Sequence, residues 1–275
     1  MNTADTKPLP IGVFDSGVGG LTVLKALREK LPNEDLLYLG DTARLPYGTK
    51  SPASISRYAC RATKYLQEHG IKLLVVACNT ASAVALQALR EQMAPIPVIG
   101  VVEPGATAAV AACPKGSHLV LATEATVRLG AYRRAIEARD SDAKINELPC
   151  EVLVSLAEEG WLDGDIARDI VRRYLENLDE SSRQPDCVIL GCTHFPLLRD
   201  AIASVIDDGI VIVDSASTTA VFAAAELEST GLLNERTGPG SLMLLATDGV
   251  TRFARVGGQF LGYDLSPEDI QLVDL

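Results

Sequence analysis

Apolar residues follow two alternating rhythms along the chain: short β-branched runs, and longer stretches with apolar positions every three or four residues. The runs Ile11–Phe14, Leu36–Leu39, Ile71–Ala77, Val98–Val101, Leu119–Ala122, Val188–Leu190, Ile210–Val213 and Leu242–Ala246 predict strands. After the first, Asp-Ser-Gly-Val-Gly-Gly leads into a helix with Leu21, Leu24, Leu27 and Leu31 on one face, stopped by Pro32. Ser51 predicts an N-cap and Pro52 a first helical position. Ile55, Tyr58, Ala59, Ala62, Tyr65 and Leu66 then form a stripe that Gly70 closes, and a further helix follows Thr80.

Strands alternating with helices across short loops predict an α/β fold of parallel sheets covered on both faces. Ligands bind such sheets beyond the carboxyl ends of the strands. Two loops there are alike: Leu73-Leu74-Val75-Val76-Ala77-Cys78-Asn79-Thr80 and Val188-Ile189-Leu190-Gly191-Cys192-Thr193-His194. Each puts a cysteine and polar residues after an apolar strand, one in each half of the chain. This pattern predicts two related lobes facing each other across a cleft, with crossings near Gly100–Pro104 and near Asp214.

Composition narrows the functions. Of 275 residues, 47% are hydrophobic and 22% charged, enough for a substantial core. A net charge of −11 argues against general affinity for nucleic acid or an anionic membrane. The polar N-terminus has no apolar segment of a secretion signal, and no apolar run reaches transmembrane length, so the expected location is the cytoplasm. The six cysteines are then read as reduced thiols. Cys60, Cys113 and Cys187 are expected to pack as small hydrophobes, His69 to lie on the surface at a helix end, and His118 and Trp161 to be structural.

Cys78 and Cys192 carry the candidate chemistry. Each is expected at a helix N-terminus, where unpaired N–H groups and the helix dipole favour the thiolate. Asn79, Thr80, Thr193 and His194, with backbone amides, could hold a carboxylate. Two thiols on opposite lobes could remove a proton from one face of a carbon and deliver one to the other, with no metal or organic cofactor. A zinc site from Cys187, Cys192 and His194 has an uncommon spacing. A nucleotide site at Gly17-x-Gly19 and Asp41 has Thr22 where the fingerprint needs Gly or Ala, and Asp15 beside the supposed pyrophosphate.

From Ile11 to about Gly262 the chain resembles the bacterial glutamate racemases, of the aspartate/glutamate racemase superfamily. The likeness rests on Ile11-Gly-Val-Phe-Asp-Ser-Gly-Val-Gly-Gly-Leu-Thr, Gly40-Asp-Thr-Ala-Arg-Leu-Pro-Tyr-Gly-Thr-Lys, Ala77-Cys-Asn-Thr-Ala-Ser and Gly191-Cys-Thr-His-Phe-Pro, in that order. It implies two pseudo-symmetric lobes, 1–100 with 214–275 and 101–213, and cofactor-independent racemisation that supplies D-glutamate for peptidoglycan. Cys78 would serve the D-enantiomer and Cys192 the L-enantiomer. Asp15, Ser16, Tyr47, Gly48, Asn79, Thr80, Thr193 and His194 would line the substrate site, with Thr123 and Thr126 as weaker candidates.

Glu158 falls where the family carries a glutamate near the site, but it also reads as a solvated helix charge beside Glu159. Arg44 reads better as a partner of Asp41 than of substrate. The resemblance further implies a homodimer and, in some relatives, activation by a cell-wall precursor. Three departures stand out: Leu129 replaces a usual serine, Cys150-Glu151 a usual Cys-Pro, and Thr247-Asp248-Gly249 a usual Thr-Gly-Asp. The alternatives are a racemase of the same superfamily acting on aspartate and a non-catalytic interaction protein, such as a topoisomerase inhibitor.

Overall fold

The computed structural model describes residues 6–179 and 182–275. Residues 1–5, part of the stretch read as lacking a secretion signal, lie outside them. Among the described residues ten strands form two sheets, parallel throughout. The first contains β1 (Ile11–Asp15), β2 (Leu36–Gly40), β3 (Leu73–Val76), β4 (Val98–Gly100), β9 (Leu242–Ala246) and β10 (Ile270–Leu272), in the order β10-β9-β2-β1-β3-β4. The second contains β5 (Ser117–Ala122), β6 (Lys144–Pro149), β7 (Cys187–Gly191) and β8 (Val211–Asp214), in the order β6-β5-β7-β8.

The helices are α1 (Leu21–Lys30), α2 (Pro52–Glu68), α3 (Asn79–Met93), α4 (Val102–Ala112), α5 (Glu124–Arg128), α6 (Ala131–Glu137), α7 (Glu151–Glu159), α8 (Asp165–Leu175), α9 (Arg199–Ala203), α10 (Ser215–Ser229) and α11 (Val250–Leu261). Alternate strand residues feed different cores, as a two-sided sheet requires. Ile11 and Val13 of β1 face Leu21, Leu24 and Leu27 of α1. Phe14 turns the other way, toward Ile55, Ala59, Ala62 and Leu66 of α2. The alanine face of α10 (Ala216, Ala220, Ala223 and Ala224) shares a core with α1 and with β7, so apolar packing continues from one sheet to the other.

The helix expected after Ser51 starts as its sequence dictates. The Ser51 hydroxyl accepts the Ser54 N–H at 3.4 Å, and Gly70 beyond the end has φ +72°. All eight expected strands are present with slightly shifted ends. Two more are found, β6 and β10. Trp161 is a correction: 55% exposed just past α7, it does not pack as expected. Cys60 and Cys113 are only partly buried, while Cys187 and His118 are fully buried. Among the described residues no helix is long and apolar enough to cross a membrane.

Candidate active site

Cys78 follows β3 and caps α3, its thiol accepting the Ala81 N–H at 3.3 Å as a serine cap would. Cys192 follows β7 directly, but the expected helix there is a four-residue 3-10 turn, Phe195–Leu198. That turn runs on into the five-residue α9, so Cys192 stands before a short, irregular helical stretch rather than the long helix that Cys78 caps. Both cysteines, each only 5% exposed, line one cavity of about 230 Å3 between the two sheets. That is below the roughly 300–1,000 Å3 of pockets for drug-sized ligands and suits a much smaller molecule.

Of the expected substrate residues, Ser16, Tyr47, Gly48, Asn79, Thr80, Thr193 and His194 line this cavity. Asp15 does not. Its carboxylate is buried behind Ser16, with Oδ2 accepting the Gly17 N–H at 2.8 Å. Thr123 lines the wall, whereas Thr126 stands behind it. Their hydroxyls are 3.1 Å apart, and Thr123 is 3.0 Å from Thr80, so Thr126 fixes the direction of two lining hydroxyls. The Asn79 amide is oriented from the second lobe, its oxygen accepting the Tyr132 hydroxyl at 2.8 Å. Tyr47 presents its ring to the cavity while its hydroxyl donates to Asp41 at 2.7 Å. Arg44 also binds Asp41, at 2.7 Å, and stays out of the cavity.

The two thiols have different surroundings. Burial, then the charge of Asp15, push the Cys78 thiol up to about 12, against hydrogen bonds to Ser16 and from Ala81. The expectation that its helix end favours a thiolate is therefore reversed, because burial in apolar walls outweighs one helix terminus. Cys192 has a basic neighbour instead. Its Sγ is 3.7 Å from Nδ1 of His194, whose Nε2 is 3.1 Å from Glu158 Oε1, and Arg252 donates to Glu158 Oε2 at 2.8 Å. Burial alone would lower His194, but its hydrogen bonds to Cys192 and Glu158, and their charges, raise it to about 10. Imidazolium is thus held beside Cys192 and Glu158. Glu158, read with equal weight as a solvated charge, lies in the wall and is held below its usual range, first by the His194 hydrogen bond.

Sequence reasoning missed Gly17, Val18, Leu45, Pro46, Thr49, Glu151, Val154 and Ser155 in the lining. Only the position of Glu151, Val154 and Ser155 on one face of α7 with Glu158, at helical spacing, could have pointed to three of these together. The competing sites fail on geometry. Cys187 and Cys192 flank the length of β7, roughly 3.3 Å per residue, too far apart to share a metal ion. Where a pyrophosphate would meet α1, Thr193 and His194 already stand: the Thr22 hydroxyl donates to the Thr193 carbonyl at 2.9 Å, and a Cβ at Gly19 would run into both side chains. Asp41 is buried with Arg44 and Tyr47.

The family model for Asp/Glu/Hydantoin racemase matches residues 11–223. The chain belongs to that racemase family. A glutamate racemase of Geobacter metallireducens is 46% identical over 265 residues, covering 96% of each chain. The structure of the Francisella tularensis glutamate racemase with D-glutamate superposes with a TM-score of 0.88 at 34% identity, covering 98% of both chains. The Escherichia coli glutamate racemase, solved with L-glutamate and the activator UDP-MurNAc-ala, superposes with a TM-score of 0.76 at 31% identity, covering 97% of this chain and 99% of its own. Membership fits a cavity that offers two thiols and a ring of hydroxyl and amide donors.

Proposed function

We propose that this protein interconverts L- and D-glutamate, with Cys78 and Cys192 as the two acid/base groups. The observation carrying this reading is that the two cysteines, from strands of different sheets, line the same small cavity. One thiolate takes the α-proton, the bond electrons pass to the carbon and its carboxylate, and the opposite thiol returns a proton to the other face. Protons and electrons balance with nothing oxidised or reduced, and proton exchange with solvent restores the starting state of the two sulfurs before the next turnover in the same direction. Cys192, beside the His194 imidazolium, would serve the L-enantiomer, and Cys78, protonated, would complete the inversion.

Asn79, Thr80 and Thr193, with their backbone amides, would hold the substrate carboxylate, and Ser16 would steady the Cys78 thiol across 3.4 Å. Asp15 would act through Cys78 rather than on substrate. The two lobes would be 1–100 with 214–275 and 101–213, working as a homodimer in the cytoplasm, with the D-glutamate used in peptidoglycan. Incubation with L-glutamate in D2O tests the reading by circular dichroism and α-proton exchange. Loss of optical activity with deuterium at the α-carbon is expected, and Cys78→Ser and Cys192→Ser should each abolish racemisation. Inert glutamate with racemised aspartate would overturn the substrate. Silence toward both, repeated with a cell-wall precursor such as UDP-MurNAc-ala, would overturn the racemase reading.

A further inference from the structure

Two carboxylates stand in the cavity wall, and only one has a visible role. Glu158 is committed to His194 and Arg252. Glu151, the first residue of α7, is half-buried, and its Oε1 accepts the Glu124 backbone N–H at 2.6 Å. Among the described residues no cation pairs with it, and neither lysine nor arginine lines the cavity. If the reacting α-carbon lies between Cys78 and Cys192, Gly48, Thr123 and Glu151 form one wall that the substrate side chain can meet. These meet closely: a Cβ at Gly48 would stand 3.2 Å from Thr123 and 3.5 Å from Glu151 Oε1.

The geometry points to Glu151 as the residue that sets how tightly the cavity takes a substrate with a distal carboxylate, donating a hydrogen bond when protonated and repelling when ionised. This deepens, and rests on, the proposed glutamate racemase reading. Burial pushes the Glu151 carboxyl up and the charge of Glu124 adds to it, while the Glu124 N–H acts the other way. Glu124 is itself paired with Arg128 at 3.2 Å. Cys150 and Tyr174 beside Glu151 are both pushed up and stay neutral. Across the cavity face Tyr47, Cys78 and Cys192, with the charges of His194 and Glu158 paired to each other. A bound distal carboxylate raises Glu151 further, so binding takes up a proton.

Wild type and Glu151→Gln are compared by kcat and KM for L-glutamate from about pH 5, close to the ordinary glutamate range, up to about pH 9. Glutamine keeps the shape and the acceptor for Glu124 but cannot ionise. Wild-type KM should climb with pH, by up to about tenfold per unit, and the variant's should not share that climb. The two KM values should converge toward acid and differ about tenfold at the alkaline end, with kcat within about twofold. Thiol ionisation occurs in both proteins and cancels in the ratio. Calorimetry of D-glutamate binding in two buffers of different ionisation enthalpy should show proton uptake by wild type and less by the variant, and needs only wild type if the variant misfolds. Identical KM profiles, or a raised KM in the variant, would overturn the inference while the racemase reading stands. A wild type that racemises nothing would overturn both.

Discussion

Replacing Glu158 by glutamine tests whether charge, rather than shape, holds His194 ready beside Cys192. The amide keeps an acceptor near Nε2 of His194 but removes the negative charge 3.1 Å from it. A hydrogen bond to a charged group is worth about 1.5–3 kcal/mol. His194 and Glu158 are largely shielded, with side chains 11% and 18% exposed, so little of this is lost to solvent screening. At about 1.36 kcal/mol per tenfold, kcat/KM should fall roughly 10- to 100-fold. The raised pKa of His194, about 10, should drop by roughly one to two units. A group whose protonated form is required loses it at lower pH when its pKa falls, so the alkaline limb of the rate profile should move toward neutrality. The assay is the initial rate of circular dichroism change from each enantiomer across pH. Because L- and D-glutamate are equal in free energy, kcat/KM must fall by the same factor in both directions. A variant within twofold of wild type, or one slowed with its alkaline limb unmoved, would refute the reasoning.

Other perturbations probe neighbouring parts. Asp15→Asn removes the charge that, after burial, raises Cys78, so thiolate absorbance should appear at lower pH; an unchanged titration would mean that Asp15 carries no charge in the native protein. Gly19→Ala should drive a methyl into Thr193 and the His194 ring, costing activity by about tenfold or more, and unaltered activity would contradict the close approach of the lobes. Lys72→Met leaves Glu34 buried without its partner at 2.5 Å and should cost about 3–5 kcal/mol in denaturant unfolding; a loss under about 1 kcal/mol would show that the pair contributes little.

How far the fold could be read ahead depended on burial. The strands β1, β2 and β3 are buried at every position, and continuous apolar runs marked them. The strand β6 lies at the edge of its sheet, and Lys144-Ile145-Asn146-Glu147-Leu148-Pro149 buries only Ile145 and Leu148, with two polar residues between them. So broken a pattern, ending in proline, resembles a loop until β5 is seen beside it. The strand β10 is three residues long and exists through pairing with β9, a contact local sequence cannot specify. Trp161 misled for a related reason: size predicts burial on average, but nothing in the local pattern says which face of a helix end remains uncovered.

The candidate site divides along the same line. Asn79, Thr80, Thr193 and His194, next to the cysteines in sequence, could be named because the strand-end loops that carry them are local, whereas Ser16, Tyr47 and Gly48 followed only from the resemblance. Glu158 needed tertiary information, since only the approach of α7 and α11 puts its carboxylate between His194 and Arg252. Glu151 is the sharper case. The change from Cys-Pro to Cys150-Glu151 reads in sequence as a loop detail, yet the turn of α7 that carries Glu158 into the cavity also carries Glu151 there, seven residues earlier on the same face. A proline at that position would have no side-chain charge, so this chain adds a carboxylate to a cavity whose proposed substrate carries two. An added like charge beside a substrate carboxylate is relieved by protonation, pairing, displacement or solvent. Among the described residues no cation pairs with Glu151, its Glu124 anchor opposes displacement, and half-burial limits the help from solvent. Burial pushes its carboxyl up, so proton uptake on binding is the route that would tie the acidity of one side chain to the affinity of the site.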